Sequence, residues 1–407
     1  MKESLIVAPE ILLPNTQDMQ SFACIACDQF TSEIDYWKEL EKIVGDKIST
    51  LNLILPEIYL NGSEKERIEK INANMRKYLD KGVFRTFGKG FILTVRKTAF
   101  VERRIGLVCA IDLEEYEYNP KIKSLIRATE GTIEERIPPR LKIRKDAELE
   151  FPHVMVLFDD EKREIAEELY KKRNNFEKVY DFELNMNGGS IEGYFIKDYQ
   201  SVIEKFSSLL DEERLISKYG KVDQFLFAVG DGNHSLATAK THWNNLKDTL
   251  SEQEKAIHPA RYALVELNNI YDDGIYFEPI HRFVNKIDRK RFISELKKIN
   301  FTASVYYGEE NSFNNGESLP ASILSVDSFI KEFIEKNGGT VDYVHGEENI
   351  KQLVDKDENS VAILFDKLDK KDLFKYVSNV GPFPRKTFSM GEAIEKRYYL
   401  EGRKIKL

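Results

Sequence analysis

The feature that most constrains the fold is an alternation of strand-like and helix-like runs in the second half of the chain. Around Asp159, HVMVLF predicts a strand, IAEELYKKRNNF a helix, and KVYDFELN and EGYFI two further strands. An amphipathic pattern then predicts one long helix over residues 198–219, and QFLFAV predicts another strand. Strands and helices that alternate in this way indicate a mixed α/β protein, of the α/β or α+β class.

A second alternation begins after residue 285 and predicts a smaller α/β unit. DRKRFISELKK, DSFIKEFIEK and NIKQLV are typical of helices, and FTASVYY, TVDYVH and SVAILF of strands. The polar loop over residues 308–320 is predicted to be a mobile surface segment. Neither a repeat nor a low-complexity linker separates the two alternations. We therefore predict two domains, residues 1–285 and residues 286–407, with the last segment of the second returning to the pocket of the first.

The first part of the chain contains a predicted helix and a predicted hairpin. Over residues 63–81, Ser63 and Glu66 form a capping box, the apolar residues share one face, and Gly82 ends the helix. The strand-like runs FILTVRK and IGLVCAID follow, joined through the charged VERR.

Composition excludes several classes of protein. The net charge of −8 and pI of about 5.6 argue against nucleic acid or an anionic membrane as partner. Three cysteines cannot all pair within one chain, which argues against a disulfide-built secreted fold. No apolar run approaches the ~18 residues of a membrane helix, and the first residues do not resemble a signal peptide. We expect a cytoplasmic protein, and the sequence leaves its oligomeric state, including a homo-oligomer, open.

The stretch FLFAVGDGNHSLATAKTHW (residues 225–243) is the strongest candidate for a functional site. An apolar strand leads into a loop of glycines and polar residues (230–235), and a helix is predicted to begin near Leu236. Free N–H groups of a first helical turn favour an anion, and Asp231, His234 and Ser235 add a carboxylate, an imidazole and a hydroxyl. The alternative is a strand-to-helix turn with Asn233 or Ser235 as helix cap. That alternative does not explain why Asp and His share one short loop.

A second cluster, RATEGTIEERIPPR within residues 126–153, combines arginines with glutamates in a loop-like context. The forked guanidinium suits a phosphate or a carboxylate, so Arg127 and Arg140 are candidate anion ligands and Glu130 a candidate metal ligand or base. Pro138 and Pro139 are predicted to end any local helix. The alternative is a solvated face of salt bridges.

Two further clusters stand near the chain ends. In CIACDQFTSEIDYW, Cys24 has the pattern of a small apolar residue in a buried strand, and Asp28 at the end of that strand is a candidate ligand or base. In PRKTFSMGE near the C-terminus, Lys386 belongs to an anion clamp or to an exposed tail. The lone His281 in PIHRF is more typical of a structural residue.

These clusters resemble a known family. The segments ACDQFTS, RATEGTIEERIPPR, GDGNHSLATAK, PIHRF and PRKTFSMGEA, spread over nearly the whole chain, together resemble the bacterial domain-of-unknown-function family 1015. Many relatives carry Asp-Gly-His-His-Arg at the glycine loop, which is similar to the phosphate motif of the ParB and sulfiredoxin-like superfamily. The resemblance implies a ParB/sulfiredoxin-like core with added strands and helices, and CTP, ATP or ADP as ligand. Because Ser235 replaces the arginine, a cation must come from elsewhere, with Arg127, Arg140 and Lys386 as candidates.

The leading hypothesis is a nucleotide-dependent phosphotransferase acting on a small molecule, or a nucleotide hydrolase, working with Mg²⁺ and ATP or ADP. The predicted catalytic residues are Asp28, Glu130 and His234, and the predicted metal ligands are Asp231 and Glu130. The predicted nucleotide-binding residues are Gly230, Asp231, Gly232, Asn233, His234, Ser235, Arg127, Arg140 and Lys386. One alternative is a non-catalytic nucleotide sensor. Another is sulfiredoxin-like, ATP-dependent redox repair, which requires Cys24 or Cys27 near the loop.

Overall fold

The computed structural model describes residues 5–60 and 64–407, and it separates the chain into two compact units. Unit 1 comprises Met1–Ile275 and Ala393–Leu407, and unit 2 comprises Tyr276–Glu392. The predicted division after residue 285 falls at the end of a strand of unit 2. The units divide ten residues earlier because that whole strand pairs within unit 2, and the last residues of the chain return to unit 1.

The helices include both short turns and long amphipathic segments, which confirms the mixed α/β class together with the strands below. The α-helices of the described residues are α1 (Met19–Phe22), α2 (Ile34–Val44), α3 (Glu64–Asp80), α4 (Ile137–Lys145), α5 (Ala166–Lys171), α6 (Tyr199–Ser208), α7 (Glu212–Tyr219), α8 (Asn233–Lys247), α9 (Glu252–Ile257), α10 (Arg289–Leu296), α11 (Leu319–Asn337), α12 (Glu347–Asp355) and α13 (Asp372–Asn379). Within the described ranges, no helix has the length and apolar character needed to cross a bilayer.

The strands range from two-residue pairings to strands of nine residues. Those of the described residues are β1 (Ile6–Val7), β2 (Glu10–Pro14), β3 (Cys24–Ile25), β4 (Phe84–Lys89), β5 (Phe91–Lys97), β6 (Arg104–Asp112), β7 (Tyr116–Glu117), β8 (Ile126–Ala128), β9 (Leu149–Glu150), β10 (Met155–Phe158), β11 (Glu177–Glu183), β12 (Ser190–Ile196), β13 (Phe227–Asp231), β14 (Tyr262–Asn269), β15 (Phe277–Asn285), β16 (Thr302–Tyr306), β17 (Glu310–Asn314), β18 (Thr340–His345), β19 (Val361–Leu364), β20 (Phe388–Met390), β21 (Tyr398–Tyr399) and β22 (Arg403–Lys404).

Unit 1 is built on one large mixed sheet in the order β11-β12-β5-β6-β14-β10-β13-β8-β7, with β1 beside β6. The strands pair parallel at β10–β14, β13–β8 and β7–β8, and antiparallel elsewhere in this sheet. The hairpin predicted from FILTVRK and IGLVCAID is β5–β6. β13, which leads into the glycine loop, therefore lies between β10 and β8.

Both faces of this sheet are covered by buried apolar side chains. Successive residues of β5 and β6 enter different cores: Leu93 and Leu107 pack in one core, whereas Ile92 and Val108 pack in the other. This follows from the two-residue period of a strand, which sends neighbouring side chains to opposite faces. The second core also contains Tyr398, Tyr399, Leu400 and Ile405 of the C-terminal segment.

The C-terminal segment Ala393–Leu407 joins unit 1 through short strand pairs and buried charges. β21 pairs with β3, and β22 pairs with β9, both antiparallel. The guanidinium of Arg96 on β5 donates to the carbonyl oxygens of Ile394 (3.0 Å), Glu395 (3.2 Å) and Lys396 (2.5 Å). These contacts fix the backbone on both sides of residue 396.

Unit 2 contains an antiparallel sheet in the order β17-β16-β19-β15-β18, with β20 also paired to β15. Its core includes Val284 and Phe292, which pack with residues of α11 and β19. The buried Arg282 forms an ion pair with Asp327 and donates to the carbonyl oxygen of Lys386 at 2.8 Å.

Four local predictions from the sequence differ in detail from the structure. The helix predicted over residues 198–219 is two helices, because the Asp211 side chain caps α7 by accepting from the N–H of Arg214. Pro138 and Pro139 stand at the start of α4 rather than ending a helix, since proline suits the first turn. The loop predicted over residues 308–320 contains β17, which pairs with β16. The helix expected from Leu236 begins at Asn233.

One predicted feature lies partly outside the described residues. The capping box of Ser63 with Glu66 cannot be placed, because residue 63 is not among them. The helix itself is present as α3, and Gly82 beyond its end has a φ of +61°, which glycine adopts readily.

Candidate functional site

The glycine loop (residues 230–235) turns sharply from β13 into α8. Gly232 is the N-cap of α8 with a φ of +79°, and no side chain caps this helix. A Cβ at this position would lie 3.0 Å from the Cα atom of Val154, so a side chain would be strained both by φ and by contact with backbone. The alternative in which Asn233 or Ser235 serves as cap therefore does not apply.

A β-bulge places His153 beside the glycine loop. In the β10–β13 pair, Met155 lies opposite Asp231, but Val156 lies opposite Val229, so Gly230 is the additional residue. Bulges of this kind re-aim side chains and are common next to active sites. The chain segment that precedes β10 carries His153 to the same end of the sheet.

The loop also contacts the RATEGT segment, about a hundred residues away in sequence. The hydroxyl of Thr129 donates to the carbonyl oxygen of Val229 at 2.6 Å, and the N–H of Ile133 donates to Nε2 of His234 at 3.2 Å. Because Nε2 accepts this hydrogen bond, His234 positions the RATEGT segment. Glu130 lies between these two contacts, and its role as a base or metal ligand stays a prediction.

Asp28 forms a buried chain of polar contacts with His153 and Tyr399. Oδ2 of Asp28 lies 3.5 Å from Nε2 of His153, and Nδ1 of His153 lies 2.8 Å from the hydroxyl of Tyr399. That hydroxyl also accepts from the N–H of Cys27 at 3.1 Å, which fixes the turn carrying Asp28. The Asp28 side chain keeps 29% of its surface exposed, whereas that of His153 keeps 6%, so Asp28 is the accessible end.

The charges of Asp28 and His153 support each other. Burial alone would raise the pKa of Asp28, but the neighbouring His153 and Lys396 hold that pKa well below its ordinary value. Burial alone would lower the pKa of His153, but Asp28, Asp231 and Glu57 together raise that pKa above its ordinary value. The geometry and these pKa shifts favour an imidazolium beside a carboxylate.

We expect the D28N variant to lower the pKa of His153, because it removes the negative charge that raises this pKa. Burial, which lowers the pKa, then has the larger effect. The ion pair between the His153 imidazolium and Asp28 stabilises the folded state in full below about pH 6.5, the pKa of histidine in the unfolded chain. This stabilisation is lost as the pH rises through the higher pKa that His153 has in the folded chain. Titration of the histidine ring protons by NMR measures the shift. The D35N variant, at an exposed carboxylate, is the control; an unchanged His153 titration in D28N would contradict the assignment.

A second ion pair brings a cation to the glycine loop. Nζ of Lys396 lies 3.2 Å from Oδ2 of Asp231, and Oδ1 of Asp231 accepts from the N–H of Gly232 at 2.9 Å. Lys396 is buried, and its backbone is fixed by Arg96 as described above. We call Asp28, His153, Asp231 and Lys396 the charge cluster.

A cavity of about 140 Å³ lies beside the charge cluster, within unit 1. Its lining includes His153, Tyr399 and Ser235 together with Arg140 and Glu57, which form an ion pair with each other. Much of the remaining wall is apolar. Two residues predicted from the sequence to bind phosphate, Ser235 and Arg140, thus line one cavity.

Other predicted residues have different surroundings. Arg127 makes two hydrogen bonds to the carboxylate of Asp223, at 2.9 and 2.6 Å, and its guanidinium packs over the ring of Phe225. Lys386 belongs to unit 2, where it is exposed in a turn with a φ of +57°. The participation of Lys386 in nucleotide binding stays a prediction.

No preformed metal site accompanies the charge cluster. Within residues 5–60 and 64–407, no three His, Cys, Asp or Glu side chains come together in a way that could hold a metal ion. Both oxygens of the predicted ligand Asp231 already have partners. The side-chain oxygen of Asn233 is buried and accepts no hydrogen bond within the described ranges.

The cysteines are free thiols with poor reactivity. Cys24 is buried in β3, as predicted, and burial raises its pKa to about 12. Cys27 lines the cavity, but burial and the charges of Asp28 and Glu57 raise its pKa as well. Since the thiolate is the reactive form, redox chemistry at these residues is disfavoured.

Four residues of this site were not singled out from the sequence: His153, Lys396, Tyr399 and Glu57. His153 is the last residue of the stretch 126–153, and Lys396 and Tyr399 closely follow the PRKTFSMGE segment. One signal points toward Lys396: Ser235 stands where the relatives have arginine, which predicts that another residue supplies the cation. The sequence does not show which residue that is.

The fold and the site define a mixed α/β protein with a cluster of charged side chains at a strand-to-helix loop. The chain belongs to the family of proteins of unknown function DUF1015, whose match spans residues 9–371, and this confirms the family predicted from its motifs. No curated protein matches the chain.

Solved structures resemble the chain at low identity. A conserved hypothetical protein from Pyrococcus furiosus has 10% identity and a TM-score of 0.36, covering 74% of this chain and 95% of that one. A free serine kinase in complex with AMP has 9% identity and a TM-score of 0.39, covering 74% and 92%. SbnI with a C-terminal truncation, from Staphylococcus aureus, has 8% identity and a TM-score of 0.36, covering 70% and 82%.

Proposed function

We propose that this chain binds the phosphate groups of a nucleotide at the glycine loop and transfers a phosphoryl group to a small molecule or to water. The observation that carries the proposal is the charge cluster at the start of α8. Two cations, His153 and Lys396, and the amino end of a 15-residue helix meet there. Phosphoryl transfer depends mainly on positioning and on neutralising negative charge, and these groups supply both.

Asp28 is suited to orient the acceptor. It stays ionised because of His153 and Lys396, and it is the most accessible member of its polar chain. In the proposed reaction, an acceptor hydroxyl oxygen bonds to the γ-phosphorus, the bond from that phosphorus to the ADP oxygen breaks, and the hydroxyl proton passes to Asp28. With water as acceptor, the same step is hydrolysis.

Mg²⁺ would arrive with the nucleotide. Mg²⁺ usually binds through one or two carboxylates together with substrate phosphates and water, so the lack of a preformed ligand set in the described ranges is compatible with it. Asp231, and Glu130 if it reaches the loop, would be the protein ligands. Asp231 would then exchange Lys396 for the metal.

A second candidate function, a nucleotide sensor, is favoured by the pairing of the cations. Lys396 already pairs with Asp231, and Arg140 with Glu57. A phosphate group that takes over these cations must displace carboxylates, which would move the loop. Binding without turnover is the expected behaviour of a sensor.

The test is binding and turnover in the full chain. ATP and ADP, each with and without Mg²⁺, should raise the melting temperature by mass action, and ADP release should continue over many turnovers when small hydroxyl compounds are present. No stabilisation by any nucleotide would contradict both candidate functions, and stabilisation without turnover would leave the sensor.

We expect D28N to lower turnover by at least a hundredfold, because general-base assistance typically contributes 10²–10⁴-fold, and to weaken nucleotide binding much less, because Lys396 and the start of α8 are unchanged. ADP release and thermal shift measure the two effects. The D35N variant should match the wild type in both, and equal turnover in D28N would remove Asp28 from the reaction.

A further inference from the structure

The cavity beside the charge cluster has walls of two kinds. Leu53, Leu55, Met75, Ile143 and Phe151 contribute apolar surface. Two ion pairs, Arg140–Glu57 and Arg144–Glu150, provide the charged surface. A ligand that fits must combine a short apolar body with charged groups.

The two ion pairs differ in the hydrogen-bonding atoms that they leave available to a ligand. Both carboxylate oxygens of Glu150 are used: Oε2 accepts from Arg144 at 2.6 Å, and Oε1 accepts from the N–H of Leu264 at 2.9 Å and from Arg403 at 2.5 Å. That pair is structural. It offers no free carboxylate oxygen to an ammonium group.

The Arg140–Glu57 pair leaves one carboxylate oxygen of Glu57 and several N–H groups of Arg140, including that on Nε, available to a ligand. Oε1 of Glu57 accepts from Nη2 of Arg140, and Nη1 of Arg140 donates to the carbonyl oxygen of Arg136 at 2.6 Å. Within the described ranges, neither Oε2 of Glu57 nor Nε of Arg140 makes a hydrogen bond, and neither is a fully buried atom. The N–H of Glu57 donates to the carbonyl oxygen of Cys27 at 2.8 Å, so its backbone is fixed.

An ion pair that keeps both an acceptor oxygen and donor N–H groups available is complementary to a zwitterion. An ammonium group would donate to Oε2 of Glu57, and a carboxylate would accept from Arg140, with no ion pair broken and no net charge added to the cavity. A lone carboxylate or a lone ammonium would add an uncompensated charge to a largely apolar pocket, which is unfavourable.

We infer that this cavity binds a small zwitterion with a short apolar body, its ammonium at Glu57 and its carboxylate at Arg140. Resting on the function proposed above, this molecule is the acceptor substrate, and one hydroxyl on its body receives the phosphoryl group. Ser235 and His153 line the same cavity, and the charge of Glu57 is near enough to contribute to the raised pKa of His153.

The test is calorimetric titration of the full chain with three probes that share an apolar body. L-Norvaline carries both charges, pentanoate only the carboxylate, and butylamine only the ammonium. We expect saturable binding of norvaline, with affinity at least tenfold higher than for either singly charged probe. If pentanoate binds as tightly as norvaline, the cavity is a simple anion site and the proposal is wrong. If butylamine binds as tightly as norvaline, the cavity is a cation site and the proposal is equally wrong. The absence of saturable norvaline binding would also overturn it.

Variants of the ion pair locate the bound probe. E57Q and R140Q should each weaken norvaline binding at least tenfold, whereas E69Q and R76Q, at exposed positions of α3, should not change it. If E57Q or R140Q fails to fold, the probe series on the unaltered chain still decides the proposal. None of the probes contains phosphorus, so a failure here is separate from a failure of nucleotide binding.

Discussion

The R397M variant is expected to destabilise unit 1 by about 3–5 kcal/mol, the usual effect of removing one partner from a buried ion pair. The guanidinium of Arg397 contacts the carboxylates of Glu266 and Glu401, and all three side chains are at most 5% exposed. Without the arginine, two carboxylates remain buried with less compensation. Denaturant unfolding followed by tryptophan fluorescence is the measurement, because both tryptophans, Trp37 and Trp243, belong to unit 1.

Two comparison variants interpret this result. K42M removes an ion pair whose side chains are 74% and 53% exposed, and it should leave the unfolding midpoint unchanged. Adding E401Q to R397M removes one of the stranded charges and should recover part of the lost stability. A midpoint for R397M equal to that of the unaltered chain would mean that these charges are not buried in solution.

The K396M variant is expected to weaken nucleotide binding by roughly 10- to 150-fold, since a hydrogen bond to a charged group contributes about 1.5–3 kcal/mol. Lys396 is the cation nearest to Asp231 in the glycine loop. Titration calorimetry with ADP measures the change. K404M, at an exposed lysine of the same C-terminal segment, should bind as the unaltered chain does.

Loss of Lys396 also leaves Asp231 without its ion pair, so a loss of stability must be separated from a loss of binding. The double variant D231N/K396M removes both charges and should melt closer to the unaltered chain than K396M does. If that double variant also binds ADP with unchanged affinity, Lys396 has no part in the phosphate site.

The local sequence pattern predicted the strand and the helix on either side of the glycine loop, but not the ion pairs and hydrogen bonds of the charge cluster. The apolar run ending at Val229, the two glycines and the following helix formers were sufficient to predict a strand, a sharp turn and a helix at residues 225–243. The helix begins three residues earlier than expected, because Gly232 itself serves as the N-cap in a left-handed conformation. The prediction that Pro138 and Pro139 end a helix is wrong because proline ends a helix from its interior but suits the first turn, and the sequence alone does not show where α4 begins.

The charge cluster could not be predicted, because it depends on contacts between distant segments. Lys396 meets Asp231, and Tyr399 meets His153, only because β21 pairs with β3. β21 and β3 are two residues long, and a pairing of that length has no recognisable periodicity. Asp28 and Ser235 are candidates from the sequence because each stands at the end of a locally predictable element, and their roles stay predictions.

The return of Ala393–Leu407 to unit 1 has a consequence for biosynthesis. The ribosome makes these residues after all of unit 2, and at 5–20 residues per second that delay is roughly 6–23 s. Throughout this interval β3 has no β21 partner, the second apolar core lacks Tyr398 and Leu400, and the glycine loop lacks its cation. The charge cluster is therefore completed only after unit 2 has been synthesised, and a nascent chain halted within unit 2 lacks the charge supplied by Lys396.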